Sequence, residues 1–151
     1  MKKISCILLM FIFCLFLSGC KTIEKIDDSK EFLDLYYEYY AGYESDFVGI
    51  DLRDYDNLYT KGHFKGFVSF NYESIFNDFE LRFSQWIKVN YGKKVTIFLV
   101  DDGSGAVVEA IKVLEKEGYK SVYGFTKGYL ELVKANNGLI EILTGGEGCD
   151  C

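Results

Sequence analysis

Between residues 21 and 148 this 151-residue chain contains no cysteine, and it has no proline and a single histidine, His63. The first absence removes thiol chemistry from the body of the chain. The lone histidine excludes a Cys–His catalytic pair or a multi-histidine metal site there. No internal repeat and no low-complexity tract is present. The five cysteines stand at the ends, as Cys6, Cys14, Cys20, Cys149 and Cys151.

The chain opens Met1-Lys2-Lys3 and runs apolar from Ile4 to Leu17, interrupted only by Ser5. A positive start followed by an apolar run of this length is the pattern of a secretory signal, shorter than the roughly 20 apolar residues of a membrane span. It ends Leu17-Ser18-Gly19-Cys20, which resembles the bacterial lipobox. That resemblance implies thioether lipidation of Cys20, cleavage before it, and acylation of the new N-terminus, palmitate being a typical chain. Several acyl chains anchor stably where one is marginal. Residues 1–19 are read as a lipoprotein signal peptide and residues 20–27 as a lipidated polar tether. Its last seven residues span at most about 25 Å. The expected location is the cell envelope, on the outer face of a bacterial membrane.

Cationic side chains are also scarce. Lys2 and Lys3 leave with residues 1–19, so the remaining 132 residues carry 15 basic against 23 acidic side chains, a net charge near −8. This balance argues against nucleic acid and against electrostatic adhesion to anionic lipid, leaving membrane attachment to the acyl chains. The length suits one domain. Aromatics are plentiful, with 12 tyrosines and 13 phenylalanines, and speak for a packed core.

Apolar periodicity predicts a helix from Asp28 to Gly42, with Phe32, Leu33, Tyr36, Tyr37 and Tyr40 on one face. Strands are expected at 47–53 and 66–70, with turn signals and one helical turn between them. A long amphipathic helix from Ile75 to Val89 follows, stopping near Gly92. Residues 95–100 form the clearest strand, apolar almost throughout as a central parallel strand is. A helix is expected from Ala106 to Glu117, a strand at 121–125, and a last helix near 129–135. Strands alternating with helices predict a small parallel β-sheet flanked by helices on both faces, an α/β fold over residues 28–144. Residues 145–151 are read as a flexible glycine-rich tail ending Cys149-Asp150-Cys151.

Three stretches in this order resemble a rhodanese-like domain over roughly residues 45–140. The first is Ile50-Asp51-Leu52-Arg53-Asp54 with Gly62-His63-Phe64-Lys65-Gly66. The second is strand 95–100, a tight loop, and a helix ending Glu117-Gly118-Tyr119. The third is Val122-Tyr123-Gly124-Phe125-Thr126-Lys127-Gly128-Tyr129. The resemblance implies sulfur chemistry in the loop after the central strand. There the family's cysteine takes sulfur as a persulfide, in a loop resembling Cys-Arg-x-Gly-x-Arg whose N–H groups converge on an anion. The six corresponding positions here are Asp101, Asp102, Gly103, Ser104, Gly105 and Ala106. Asp101 stands in the cysteine's place, and Asp102 and Ala106 replace basic residues. A carboxylate cannot carry a transferable persulfide. Asp101 is therefore read as a loop acid satisfying the N–H groups that the anion leaves. A cation site is the weaker alternative, since the loop lacks EF-hand spacing.

Asp51, Arg53 and His63 are read as structural hydrogen-bonding residues of the motif. Cys149 and Cys151 are the remaining redox or soft-metal candidates. No cofactor is implied. The expected function is a binding or scaffold module, a pseudoenzyme with a protein or small cationic ligand as partner. The alternative is an extracytoplasmic sulfurtransferase or thiol–disulfide oxidoreductase using Cys149 and Cys151.

Overall fold

A computed structural model describes residues 21–42, 46–70 and 78–146. Cys20, Cys149 and Cys151, and Ile75 and Phe76 of the expected long helix, lie outside the described residues.

Among the described residues, five parallel strands, β1 (Thr22–Ile26), β2 (Phe47–Asp51), β4 (Phe67–Ser69), β5 (Thr96–Val100) and β6 (Ser121–Phe125), form one sheet in the order β1-β6-β5-β2-β4. Four helices among the described residues cover it: α1 (Ser29–Ala41), α2 (Phe79–Asn90), α3 (Ala106–Lys116) and α4 (Tyr129–Ala135). The turn anticipated after β2 is a short π-helical turn, Tyr55–Tyr59. Two short strands escaped the sequence reading, β3 (His63–Phe64) and β7 (Ile142–Leu143), which pair antiparallel.

The expected tether is the principal difference. Residues 22–26, expected as polar linker, are β1, an edge strand in parallel register with β6 from Thr22↔Ser121 to Ile26↔Phe125. Only Ile26 of this strand is deeply buried, so apolar periodicity could not mark it; its place comes from backbone pairing. Folded structure also continues past residue 144, because Gly145 N–H donates to the Thr60 carbonyl at 2.7 Å.

Strand β5 explains why helices are needed on both faces. Ile97 and Leu99 belong to a core closed by α2 and α3, with Phe83, Ile87, Val107, Ile111 and Leu114. Phe98 and Val100 point the other way, into a core closed by α1 and α4, with Phe32, Tyr36, Tyr129 and Leu132. Successive strand side chains face opposite sides, so a near-continuous apolar strand must be covered twice. Burying each such side chain contributes about 1.5–3 kcal/mol. Helix α1 starts where the Asp28 carboxylate accepts the Glu31 N–H at 2.8 Å. The C-terminal end of α2 is closed by Tyr119, whose hydroxyl shares its one hydrogen between the carbonyls of Ile87 and Tyr91, 3.0 and 2.8 Å away.

Parallel pairing gathers the connections that follow the strands at one edge. The turns after β1, β2, β5 and β6 all open there, at the carboxyl ends where α/β sheets commonly place their sites.

Candidate functional site

The loop from Asp101 to Gly105 joins β5 to α3. Helix α3 begins at Gly105, which has a φ of 93° and no side chain to cap the first turn. Asp101 supplies that cap from four residues upstream. Its Oδ1 accepts the Gly103 N–H at 2.8 Å, and its Oδ2 accepts the N–H groups of Gly105 at 3.1 Å and Val107 at 3.0 Å. Three backbone donors and a helix N-terminus thus converge on one carboxylate. Asp101 is 1 % exposed. Burial pushes its pKa up, against the opposing pull of the N–H donors, with Asp102 adding a smaller upward push. The Asp102 carboxylate folds onto its own loop, accepting the Ser104 N–H at 3.0 Å.

Asp51 and Arg53 form a buried pair beside this loop. Arg53 Nε lies 2.9 and 3.0 Å from the two Asp51 carboxylate oxygens, and one terminal nitrogen lies 2.6 Å from Oδ2. The same nitrogen donates to the Gly62 carbonyl at 2.7 Å. The guanidinium stacks over the Tyr129 ring, 3.5 Å from its centroid. Tyr129 N–H in turn donates to the Asp101 carbonyl at 2.7 Å. The cation closest in sequence logic to an anion site is therefore occupied by Asp51, Gly62 and Tyr129.

His63 stacks on Tyr59, with ring centroids 3.9 Å apart and planes nearly parallel at 7°. Its Nδ1 lies 3.1 Å from the Tyr59 carbonyl, which can only accept, so this nitrogen carries the hydrogen. His63 thus joins the π-helical turn to β3 and does not enter the Asp101 loop.

Sequence reasoning missed Tyr129 and Gly128 as parts of the site. Burial raises the Tyr129 phenol to about 12, with Arg53 pulling down and Asp51 pushing up. Gly128 has φ 89° and ψ 145°, and a Cβ there would lie 2.9 Å from the Asp102 carbonyl carbon and oxygen. The Gly128-Tyr129 pair in the third resembling stretch was the available signal. Among the described residues, no group of three or more His, Cys, Asp or Glu side chains is arranged to hold a metal ion. No helix among them is long and apolar enough to cross a membrane.

No protein-family model matches the chain. No curated protein matches it either. Solved structures do. The solution structure of the rhodanese-like domain of the Alr3790 protein from Anabaena sp. aligns with a TM-score of 0.56 and 16% identity, covering 85% of this chain and 87% of that one. SseA from Escherichia coli, whose structure describes the rhodanese fold and mechanism of 3-mercaptopyruvate sulfotransferases, aligns with a TM-score of 0.57 and 16% identity over 83% of this chain and 53% of that one. Ygr203w from Saccharomyces cerevisiae, a homolog of single-domain rhodanese and the Cdc25 phosphatase catalytic domain, aligns with a TM-score of 0.52 and 13% identity over 78% and 86%. At these identities the comparison establishes the fold: an α/β domain of rhodanese-like architecture.

Proposed function

We propose that this chain is a lipoprotein anchored through Cys20, whose rhodanese-like domain binds a partner without transferring sulfur. The observation that carries the reading is the Asp101 carboxylate lying on three backbone N–H groups, at 2.8, 3.1 and 3.0 Å. In a sulfurtransferase of this fold that cradle serves a sulfur-bearing thiolate and its anionic donor. Here a carboxylate fills it, Asp102 adds a second negative charge, and Arg53 is engaged by Asp51. Thiosulfate would meet net repulsion and find no thiolate to accept its sulfur. The remaining role is recognition, with a basic protein segment or small cationic ligand as the complementary chemistry.

The test is a thiosulfate:cyanide sulfurtransferase assay on residues 21–151, beside Asp101→Cys and Cys149→Ser/Cys151→Ser variants. The expected result is no turnover in the parent and a measurable gain in Asp101→Cys. Parent turnover that disappears in the tail double variant would overturn the reading and make Cys149 and Cys151 the reactive pair.

A further inference from the structure

The lipoprotein reading places an anchor on Cys20, and the fold begins almost at once after it. Thr22 N–H donates to the Lys120 carbonyl at 2.7 Å, and Lys21 pairs with Glu115 at 2.6 Å. Only Lys21 lies between Cys20 and the first residue of the sheet, Thr22, a span of at most about 7 Å. With no linker to swing on, the end of the domain where β1 starts must sit at the bilayer surface.

Parallel register decides what else lies at that end. Thr22 is level with Ser121, Ser121 with Thr96, and Thr96 with Phe47. The residues entering these strands therefore share one rim with Lys21, and they include Lys93, Lys94 and Lys120, with Asp46 as the acid entering β2. The C-terminal turns of α2 and α3 add Lys88 and Lys116. All six lysines are exposed. Lys88 and Lys93 share Glu117, at 3.3 and 4.0 Å, and Lys116 pairs with Glu80. Lys94 and Lys120 have no ion-pair partner among the described residues. Val89, 84 % exposed on the last turn of α2, adds an apolar side chain near this rim.

The opposite end is predominantly acidic, with Asp27, Asp28, Asp54, Asp101 and Asp102 following the strands and Lys127 paired with Asp27 at 3.8 Å. A five-residue strand is roughly 17 Å long, whereas charge is screened over about 8 Å at physiological ionic strength. A bilayer touching the lysine rim is thus about two screening lengths from the acidic end. The net charge near −8, which argues against anionic lipid when averaged over the chain, does not describe what the surface meets.

We infer that the rim formed by Lys21, Lys88, Lys93, Lys94, Lys116 and Lys120 docks on an anionic bilayer and holds the Asp101 loop facing away from it. The inference rests on the Cys20 anchor, and anionic phospholipid is the occupant that its charge and the anchor's position select.

The experiment uses residues 20–151 carrying Cys149→Ser/Cys151→Ser, coupled through Cys20 to a maleimide lipid in vesicles. One set contains phosphatidylglycerol; the other is phosphatidylcholine alone. Hydrogen exchange should slow at residues 92–95 and 117–121 on the anionic vesicles and stay unchanged at 102–105. Lys94→Glu/Lys120→Glu should abolish that protection without altering the thermal melt, and Lys94→Gln/Lys120→Gln should reduce it. Uncoupled residues 21–151 should sediment with phosphatidylglycerol vesicles in a salt-sensitive way. The Glu variant should bind at least about tenfold more weakly, since each lysine near an anionic surface contributes a factor of roughly five. Equal exchange on both lipids, or protection centred on 102–105, would overturn the inference. Chemical coupling supplies the anchor whatever the cell does. An unmodified Cys20 found by mass spectrometry of the cellular protein would therefore sink the lipoprotein reading and leave the vesicle result standing.

Discussion

The Asp101 carboxylate caps helix α3 from outside it, its Oδ2 accepting the Val107 N–H at 3.0 Å and the Gly105 N–H at 3.1 Å. One side chain thus performs two tasks. It satisfies donors that Gly105, lacking a side chain, leaves open, and it fills the concavity they create.

Asp101→Ala should separate these tasks. Leaving buried donors unsatisfied costs about 1–3 kcal/mol, read as a lower urea midpoint. The vacated cradle should then accept a small anion, so sulfate should raise the melting temperature of Asp101→Ala and leave the parent unchanged beyond its general salting effect. Equal sulfate responses would show that the cradle is not an anion site.

The Asp51–Arg53 pair should be sensitive to the loss of either partner. Asp51→Ala strands a buried guanidinium and should cost about 3–5 kcal/mol. Arg53→Lys should also destabilise, because an ammonium can neither hold both Asp51 oxygens with two parallel bonds nor stack flat on Tyr129. Asp51→Ala/Arg53→Met should cost clearly less than the sum of the single changes, and additive urea-denaturation energies would argue against coupling.

Two glycines in neighbouring turns should respond differently to alanine. A Cβ on Gly103 would meet nothing closer than 3.9 Å, so only its φ of 93° is penalised, at about 1 kcal/mol. Gly128 combines φ 89° with ψ 145° and a Cβ contact of 2.9 Å to the Asp102 backbone. Gly128→Ala should therefore cost at least about 3 kcal/mol and displace the 101–105 loop. Similar melting temperatures for the two variants would contradict the geometry.

Tyr129 supplies a pH signature. Its phenol is raised from 10.0 to about 12, chiefly by burial. Over that interval the folded protein holds a proton that the unfolded chain releases, so this group's stability contribution is complete below pH 10 and lost as pH rises through 12. Tyr129→Phe removes the term. The stability difference between parent and variant should shift in favour of the variant above pH 10, by up to about 1 kcal/mol per pH unit. A constant difference from pH 9 to 12 would count against a buried phenol.

Lys65 and Glu141 show how local reading and tertiary pairing divide the molecule. Their 2.8 Å bridge joins β3 to the segment before β7, two short strands that no periodicity marked because two residues make no period. Strand β5, by contrast, was legible from its apolar run alone. So were α1, α3 and α4, whose buried faces repeat at helical spacing. Edge strand β1 was read as linker because most of its side chains stay in solvent and its backbone finds β6 about 100 residues away. For the site, Asp51, Arg53 and the Asp101 loop were legible as residues. That the cation would stack on Tyr129 was not.

By itself the sequence determined the α/β alternation, the confinement of thiols to the two ends, and an aspartate at the start of the loop after the central strand. Each is local, written in residue type and in spacings of two or 3.6. Tertiary structure alone decided that three N–H groups meet on Asp101 and that Arg53 is covered by Tyr129. It also decided that lysines from distant segments share one rim, where Lys21 meets Glu115 and Lys88 and Lys93 meet Glu117, while Asp54, Asp101 and Asp102 lie at the other end. These depend on parallel register between strands far apart in the chain, which brings strand beginnings to one end and strand ends to the other.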